Sequence, residues 1–186
     1  MKSILLHVAD DNGFEGRLQA ALDVARIFSG HVHCLQPRRI PAYFGADAAG
    51  FGAGAALVAE LIEQEAKIGR EVRHRIEGRL AKEDVRFSWA EAIGEPADML
   101  IEAASLEDLI VMSLGKAGAA PQASVAEVVV RADTPVLALP DGHVGYDPTK
   151  PAIVARKATA ERAKAVRASI PLLAMRSSVT ILGVDP

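Results

Sequence analysis

The chain has 186 residues, of which 50% are apolar and 24% charged, and a formal net charge of -3. These values exclude a disordered chain and bulk attraction to polyanions, and leave one domain, or one domain with a remnant of a second. With Cys34 as its only cysteine and no apolar run near the ~20 residues of a membrane span, the chain reads as cytoplasmic, without disulfides and without a membrane or nucleic-acid partner.

Apolar period alternates between strand-like and helix-like from the start. Ile4-Leu5-Leu6-His7-Val8 is a short continuous run, as expected of a strand covered on both faces. Asp10, Asp11, Asn12 and Gly13 break it, and Leu18, Ala21, Leu22 and Ala25 then recur at helical spacing up to Ser29-Gly30. A second strand is expected over 31–36, with Cys34 facing the core and His31 and His33 on the other face. Two histidines can begin a metal site, but no third ligand lies nearby in sequence, so both read as satisfied or solvated side chains. Residues 37–54 form a loop rich in Gly, Ala and Pro. Residues 50–55 fit Gly-x-Gly-x-x-Ala, but they follow a loop and read as a flexible lead-in to a helix.

Leu57, Leu61, Ile68, Val72, Ile76 and Leu80 place one apolar stripe on a long helix. Its acidic residues (Glu60, Glu63, Glu65) come early and its basic ones (Arg70, Arg73, Arg75, Arg79) late, the order a macrodipole favours. A third strand over 85–92, a helix over 97–104 opened by Pro96 and a fourth strand over 108–112 follow. Then come a small-residue loop over 113–122, a short helix over 123–131 and a fifth strand over 134–140. Prolines bracket that last strand, and proline cannot donate to a central ladder, so it belongs at a sheet edge. Strands and helices alternating through long crossovers give an α/β, doubly wound, five-stranded parallel sheet.

Residues 141–150 form a polar linker. Beyond it a strand over 152–155, a helix over 159–175 and a strand over 178–184 repeat the order of residues 4–36 at an offset of about 147. This extra βαβ fragment reads as the opening of a second copy, giving a first domain over 1–141 and a partial repeat over 151–186. At under ~40 residues it needs a surface to dock on. Arg156, Lys157, Arg162, Lys164 and Arg167 make its helix basic.

Ligands of doubly wound sheets bind beyond the carboxyl ends of the strands, at the switch point. The loops leaving the first and fourth strands therefore carry the candidate site. In the second of them Ser113, Gly115, Lys116, Gly118 and Ser124 combine glycines, which let a backbone approach phosphate, with donors at a helix start. No nucleophile elbow, P-loop, paired-cysteine or zinc-protease motif occurs, so the reading is of a protein that is not an enzyme and holds no metal.

Five segments in order resemble a universal stress protein domain across essentially residues 2–141. They are Ile4-Leu5-Leu6-His7-Val8, Gly94-Glu95-Pro96-Ala97, Asp108-Leu109-Ile110-Val111-Met112, Ser124-Val125-Ala126-Glu127 and Thr134-Pro135-Val136-Leu137-Ala138-Leu139-Pro140. Ile153-Val154 and Thr180-Ile181-Leu182-Gly183-Val184 resemble the start of the second domain of tandem members. The resemblance implies an adenine-nucleotide-hydrolase-like fold and a stress-response module that works by association with a second copy or another protein. It implies a homodimer through the fifth-strand edge, from Thr134 to Leu139. It also implies binding of ATP or AMP at Asp10, Met112, Ser113, Gly115, Lys116, Gly118, Ser124 and Val125.

Members that bind ATP carry an aspartate after strand one, and after strand four a glycine, two residues, a second glycine, nine residues and a Gly-Ser or Gly-Thr pair. Here Ser113 stands for the first glycine and Ala123 for the third, and only seven residues separate Gly115 from Ala123. Ala9 is the most direct match to the aspartate, with Asp10 and Asp11 just beyond. Arg156-Lys157-Ala158-Thr159 lies where the second unit would have an Asp-Gly-Ser-like turn. The expectation is weak nucleotide binding. The alternative is a nucleotide-hydrolysing or nucleotidyl-transferring enzyme on the same fold, with Asp10 or Asp11 as the metal-coordinating acid.

Overall fold

The computed structural model describes residues 1–38, 52–114, 125–140, 142–156 and 160–183. Its main sheet has five parallel strands, β1 (Ser3–His7), β2 (His31–Arg38), β3 (Arg86–Ile93), β4 (Leu109–Ser113) and β5 (Val136–Leu139), in the order β3-β2-β1-β4-β5. The helices between them are α1 (Phe14–Phe28), α2 (Gly52–Leu80), α3 (Pro96–Ala104) and α4 (Val125–Arg131). Parallel neighbours need crossovers, and helical crossovers cover both faces of the sheet. Side chains alternate accordingly. Ile4, Leu6, Val32 and Cys34 pack with Leu18, Leu22, Val72, Ile76 and Leu80 from α1 and α2. Leu5, Leu35, Ile110 and Met112 pack with Ala97, Leu100 and Val128 from α3 and α4. The doubly wound sheet and the edge position of β5 agree with the sequence reading.

Several boundaries differ for local reasons. Thr134 lies before β5, and its hydroxyl donates to the Ala104 carbonyl at 2.7 Å, tying the strand to the end of α3. Asp108 lies before β4. It accepts the backbone N–H of Lys2 at 2.6 Å and of Ser3 at 3.2 Å, contacts that hold its carboxyl below the usual range. α2 begins at Gly52, so residues 52–55 are helical and not a flexible lead-in. α1 ends with Ser29 in the left-handed region, and Gly30 donates back to the Ala25 carbonyl at 2.8 Å. Cys34 is fully buried, and burial pushes its thiol up to about 12, so it serves as a small core residue.

The expected βαβ fragment is present as β6 (Ala152–Arg156), α5 (Ala160–Leu173) and β7 (Val179–Gly183), a parallel pair forming its own small sheet. The fragment and the segment that leads into it meet the main unit through side contacts. The His143 carbonyl crosses Gly16 of α1 so closely that a Cβ there would lie 2.0 Å away. The Tyr146 N–H donates to Asp23 at 2.9 Å, Lys164 pairs with Asp133 at 2.6 Å, and Tyr146 and Leu172 pack against the α1 side of the core. Ile153 and Ile181 of the small sheet remain 70% and 65% exposed.

Candidate functional site

The sheet order reverses at β1, whose neighbours are β2 on one side and β4 on the other. The crevice between the ends of β1 and β4 is therefore the default ligand position. One residue bridges it. α1 starts just beyond the loop leaving β1, and its periodicity puts Arg17 inside the apolar stripe, where the side chain reaches back over the preceding turn. Arg17 is fully buried. Its Nε donates to the His7 carbonyl at 2.7 Å and its Nη2 to the Ala9 carbonyl at 3.0 Å. Two parallel bonds of 2.7 Å reach the Asp11 carboxylate, and Nη1 also donates to Ser113 Oγ at 2.9 Å. All five guanidinium N–H groups are thus satisfied, the condition under which a buried charge is tolerated. Asp11 also accepts the Gly13 N–H at 2.8 Å, closing the loop on itself. Gly13 is required here for space: a Cβ would sit 2.6 Å from Ser113 Oγ.

The residues expected to form the site divide accordingly. Ser113 is brought to the crevice, but its hydroxyl serves Arg17. Asp10 turns away and pairs with Arg75 of α2 at 2.6 Å, so Asp11 is the acid that faces β4. Met112 is completely buried against α3 and α4, and Val125 packs on the same cluster at the start of α4. Gly115, Lys116, Gly118 and Ser124 lie outside the described residues.

On the other side of β1 a cavity of about 250 Å³ lies between the ends of β1 and β2 and the overlying α2. His7, Asp10, Gln36, Arg38, Glu65, Gly69 and Val72 are among its lining residues. Gln36 is 7% exposed, and its Oε1 has no hydrogen-bond partner among the described residues. The Nε of Arg38, two residues on and on the same strand face, is likewise buried without a hydrogen bond; Glu91 approaches it at 3.6 Å. His7 is neutral. Burial pushes its pKa down to about 4, the Arg17 guanidinium adds to this and the Asp11 carboxylate opposes it.

His31 and His33 are both partnered. His31 Nε2 lies 2.7 Å from Ser88 Oγ, and His33 Nδ1 lies 2.9 Å from Glu107 Oε1. No group of three or more side chains able to hold a metal ion occurs among the described residues. Sequence reasoning missed Arg17, Gln36 and Arg38. A cation inside the apolar stripe of α1 was the one available signal for Arg17; the two residues at the end of β2 gave none.

The fold of the main unit is that of the universal stress proteins. A universal stress protein from Archaeoglobus fulgidus matches with TM-score 0.72 and 14% identity, over 98% of this chain and 67% of that one. The universal stress protein UspA from Lactobacillus plantarum matches with TM-score 0.62 and 17% identity, over 74% of this chain and 97% of that one. A universal stress protein family protein from Arabidopsis thaliana with AMP bound matches with TM-score 0.53 and 13% identity, over 76% of this chain and 93% of that one. No family model and no curated protein matches the chain. No helix among the described residues is long and apolar enough to cross a membrane.

Proposed function

We propose that the chain is a universal-stress-protein-like module that acts by association and binds an adenine nucleotide weakly, without turning it over. The observation that carries this reading is the Arg17 bridge. It occupies the crevice between β1 and β4 and consumes the Asp11 carboxylate and the Ser113 hydroxyl. Asp10, the other candidate acid, is engaged by Arg75. Phosphoryl transfer needs a carboxylate free to hold a metal ion; Asp11 is committed to the buried Arg17, and Asp10 pairs with Arg75 at the surface. The cavity beside β1 supports the nucleotide part, as does the AMP-bound relative of the same fold. At about 250 Å³ it is below the roughly 300–1,000 Å³ of a pocket that encloses a drug-sized ligand. It suits a ring system with its substituents left outside, which keeps affinity low.

Calorimetry with AMP and with magnesium-ATP tests this. The expected dissociation constants are on the order of 0.1–1 mM, with no phosphate release. Absence of heat with either nucleotide up to several millimolar overturns the binding; magnesium-dependent hydrolysis moves the reading to the enzyme.

The association is assigned to the outer edge of β5. The carbonyls of Pro135 and Leu139 face β4, so the N–H groups of Val136 and Ala138 face outward, an edge that no described strand pairs. Sedimentation is expected to give a dimer at micromolar concentration, and Ala138→Pro, which removes one outward N–H, a monomer. A monomeric parent, or a dimer that Ala138→Pro leaves intact, sinks this assignment. Residues 151–186 we read as the beginning of a second unit of the same kind after a linker over 142–150, a reading that the match over 98% of the chain supports.

A further inference from the structure

Both rims of the main sheet are open edges, but they differ in kind. β5 pairs over four residues, whereas β3 pairs with β2 without interruption from Arg86 to Ile93, with no bulge and no proline. The Gly94 N–H donates to the Arg38 carbonyl at 3.0 Å. Successive residues of a strand present their N–H and C=O groups to opposite sides, so those of Phe87, Trp89, Glu91 and Ile93 point away from β2. No described strand pairs them. Natural edges are often blunted by shortness, a bulge or a proline, and β3 has none of the three.

Along this edge, between β3 and α2, runs a groove of about 450 Å³. Residues three and four apart share one face of a helix, and on α2 that face carries Arg70, Arg73, His74 and Glu77. Arg38 and Glu91 complete the wall from the sheet. The two carboxylates are taken: Arg73 donates to Glu77 at 2.9 Å, and Glu91 lies 3.6 Å from Arg38 and 3.8 Å from Arg73. Arg70 and His74 are exposed and, among the described residues, have no hydrogen bond or ion pair. The groove thus holds one guanidinium in excess, in a chain whose net charge is -3.

We propose that the β3 edge and this groove form a docking site for an extended acidic segment of another protein, added to the sheet as a further strand. Backbone bonds to the outward groups of β3 supply the affinity. Side chains alternate between the two faces of a sheet, so every second residue of the incoming segment lies on the α2 side, beside Arg70 and Arg73. A carboxylate at those positions is what the surplus cation selects. The same arrangement selects against a second copy of this chain. A two-fold pairing of β3 with itself would bring two such grooves, each with its own excess of positive charge, to one seam.

The test uses a peptide of alternating glutamate and threonine, blocked at both ends, on the full chain, with the lysine–threonine peptide as its counterpart. Trp89, the single tryptophan, sits on the edge itself and reports binding by its emission. A dissociation constant on the order of 0.1 mM is expected for the acidic peptide, and no saturation for the basic one. The amides of Phe87, Trp89, Glu91 and Ile93 gain protection from exchange on binding, while those of Ser88, Ala90 and Ala92, already bonded to β2, do not change. Arg70→Glu, at an exposed position, weakens the acidic peptide about tenfold. Ile93→Pro removes an outward N–H that the ladder to β2 does not use, so it weakens binding while keeping the parent's circular dichroism. Equal affinity for the two peptides, protection that does not follow this alternation, binding indifferent to both substitutions, or no binding at several millimolar overturns the proposal. A parent dimer that Ile93→Pro dissociates overturns it too, because the edge then belongs to a second copy.

Discussion

Arg17→Met lowers the unfolding free energy by about 3–5 kcal/mol, the range for removing one partner of a buried ion pair. The loss is not one contact. Asp11, whose side chain is 14% exposed, keeps its charge without its counterion, and the His7 carbonyl, Ala9 carbonyl and Ser113 hydroxyl lose their donor together. Against a total stability of about 5–15 kcal/mol this is a large fraction. The urea midpoint falls while the slope stays constant, as it must if only stability has changed. Arg17→Lys keeps the charge but cannot make the paired bonds to Asp11, so it falls between parent and Arg17→Met. In an Asp11→Asn background the cost of Arg17→Met shrinks by more than about 1 kcal/mol, the coupling expected of groups in one network. A loss under about 1 kcal/mol for Arg17→Met, or no coupling to Asp11, would show that the crevice is held together by something else.

His7 gives the second large effect, and its sign is fixed by which state takes the proton. In the fold its pKa is about 4; an unperturbed histidine titrates near 6.5. Between these values the unfolded chain binds the extra proton and the folded chain does not, so stability rises with pH across that window. From pH 7 to pH 4 the loss through this one ring is about 3 kcal/mol. Asp108 also has a lowered pKa, but its contribution is lost only as pH falls below the usual carboxylate value, so the two separate on the pH axis. In a His7→Gln variant the slope between pH 6.5 and 4.5 flattens, whatever the absolute stability. Urea midpoints at half-unit pH steps measure it, and a variant with the parent's slope would place the titration elsewhere.

The scaffold was legible because its signals are local. The unbroken run from Ile4 to Leu6 suits a strand covered on both sides, and the prolines around residues 135–140 mark a sheet edge from the sequence alone. The site was less legible because its pairings are long-range. Ser113 lies 96 residues from Arg17, and Glu107 lies 74 from His33. Of two adjacent acids after β1, the turn closed by the Gly13 N–H decides that Asp11 points inward and Asp10 outward. That choice depends on backbone direction, which composition and spacing do not encode. Gln36 and Arg38 resemble any polar residues at a strand end until α2 is laid over them.

The small β6–α5–β7 sheet rests on the main unit through Lys164, Leu172 and the preceding segment at His143 and Tyr146, and among the described residues has no strand pairing with it. Its backbone hydrogen bonds are therefore not part of the ladder that locks β1 to its neighbours. Amide protons of Ile153 and Ile181 should exchange with solvent through a local opening, orders of magnitude faster than those of Leu5 and Ile110. The chain is then expected to melt as two cooperative blocks, the smaller opening while the cavity beside β1 stays intact.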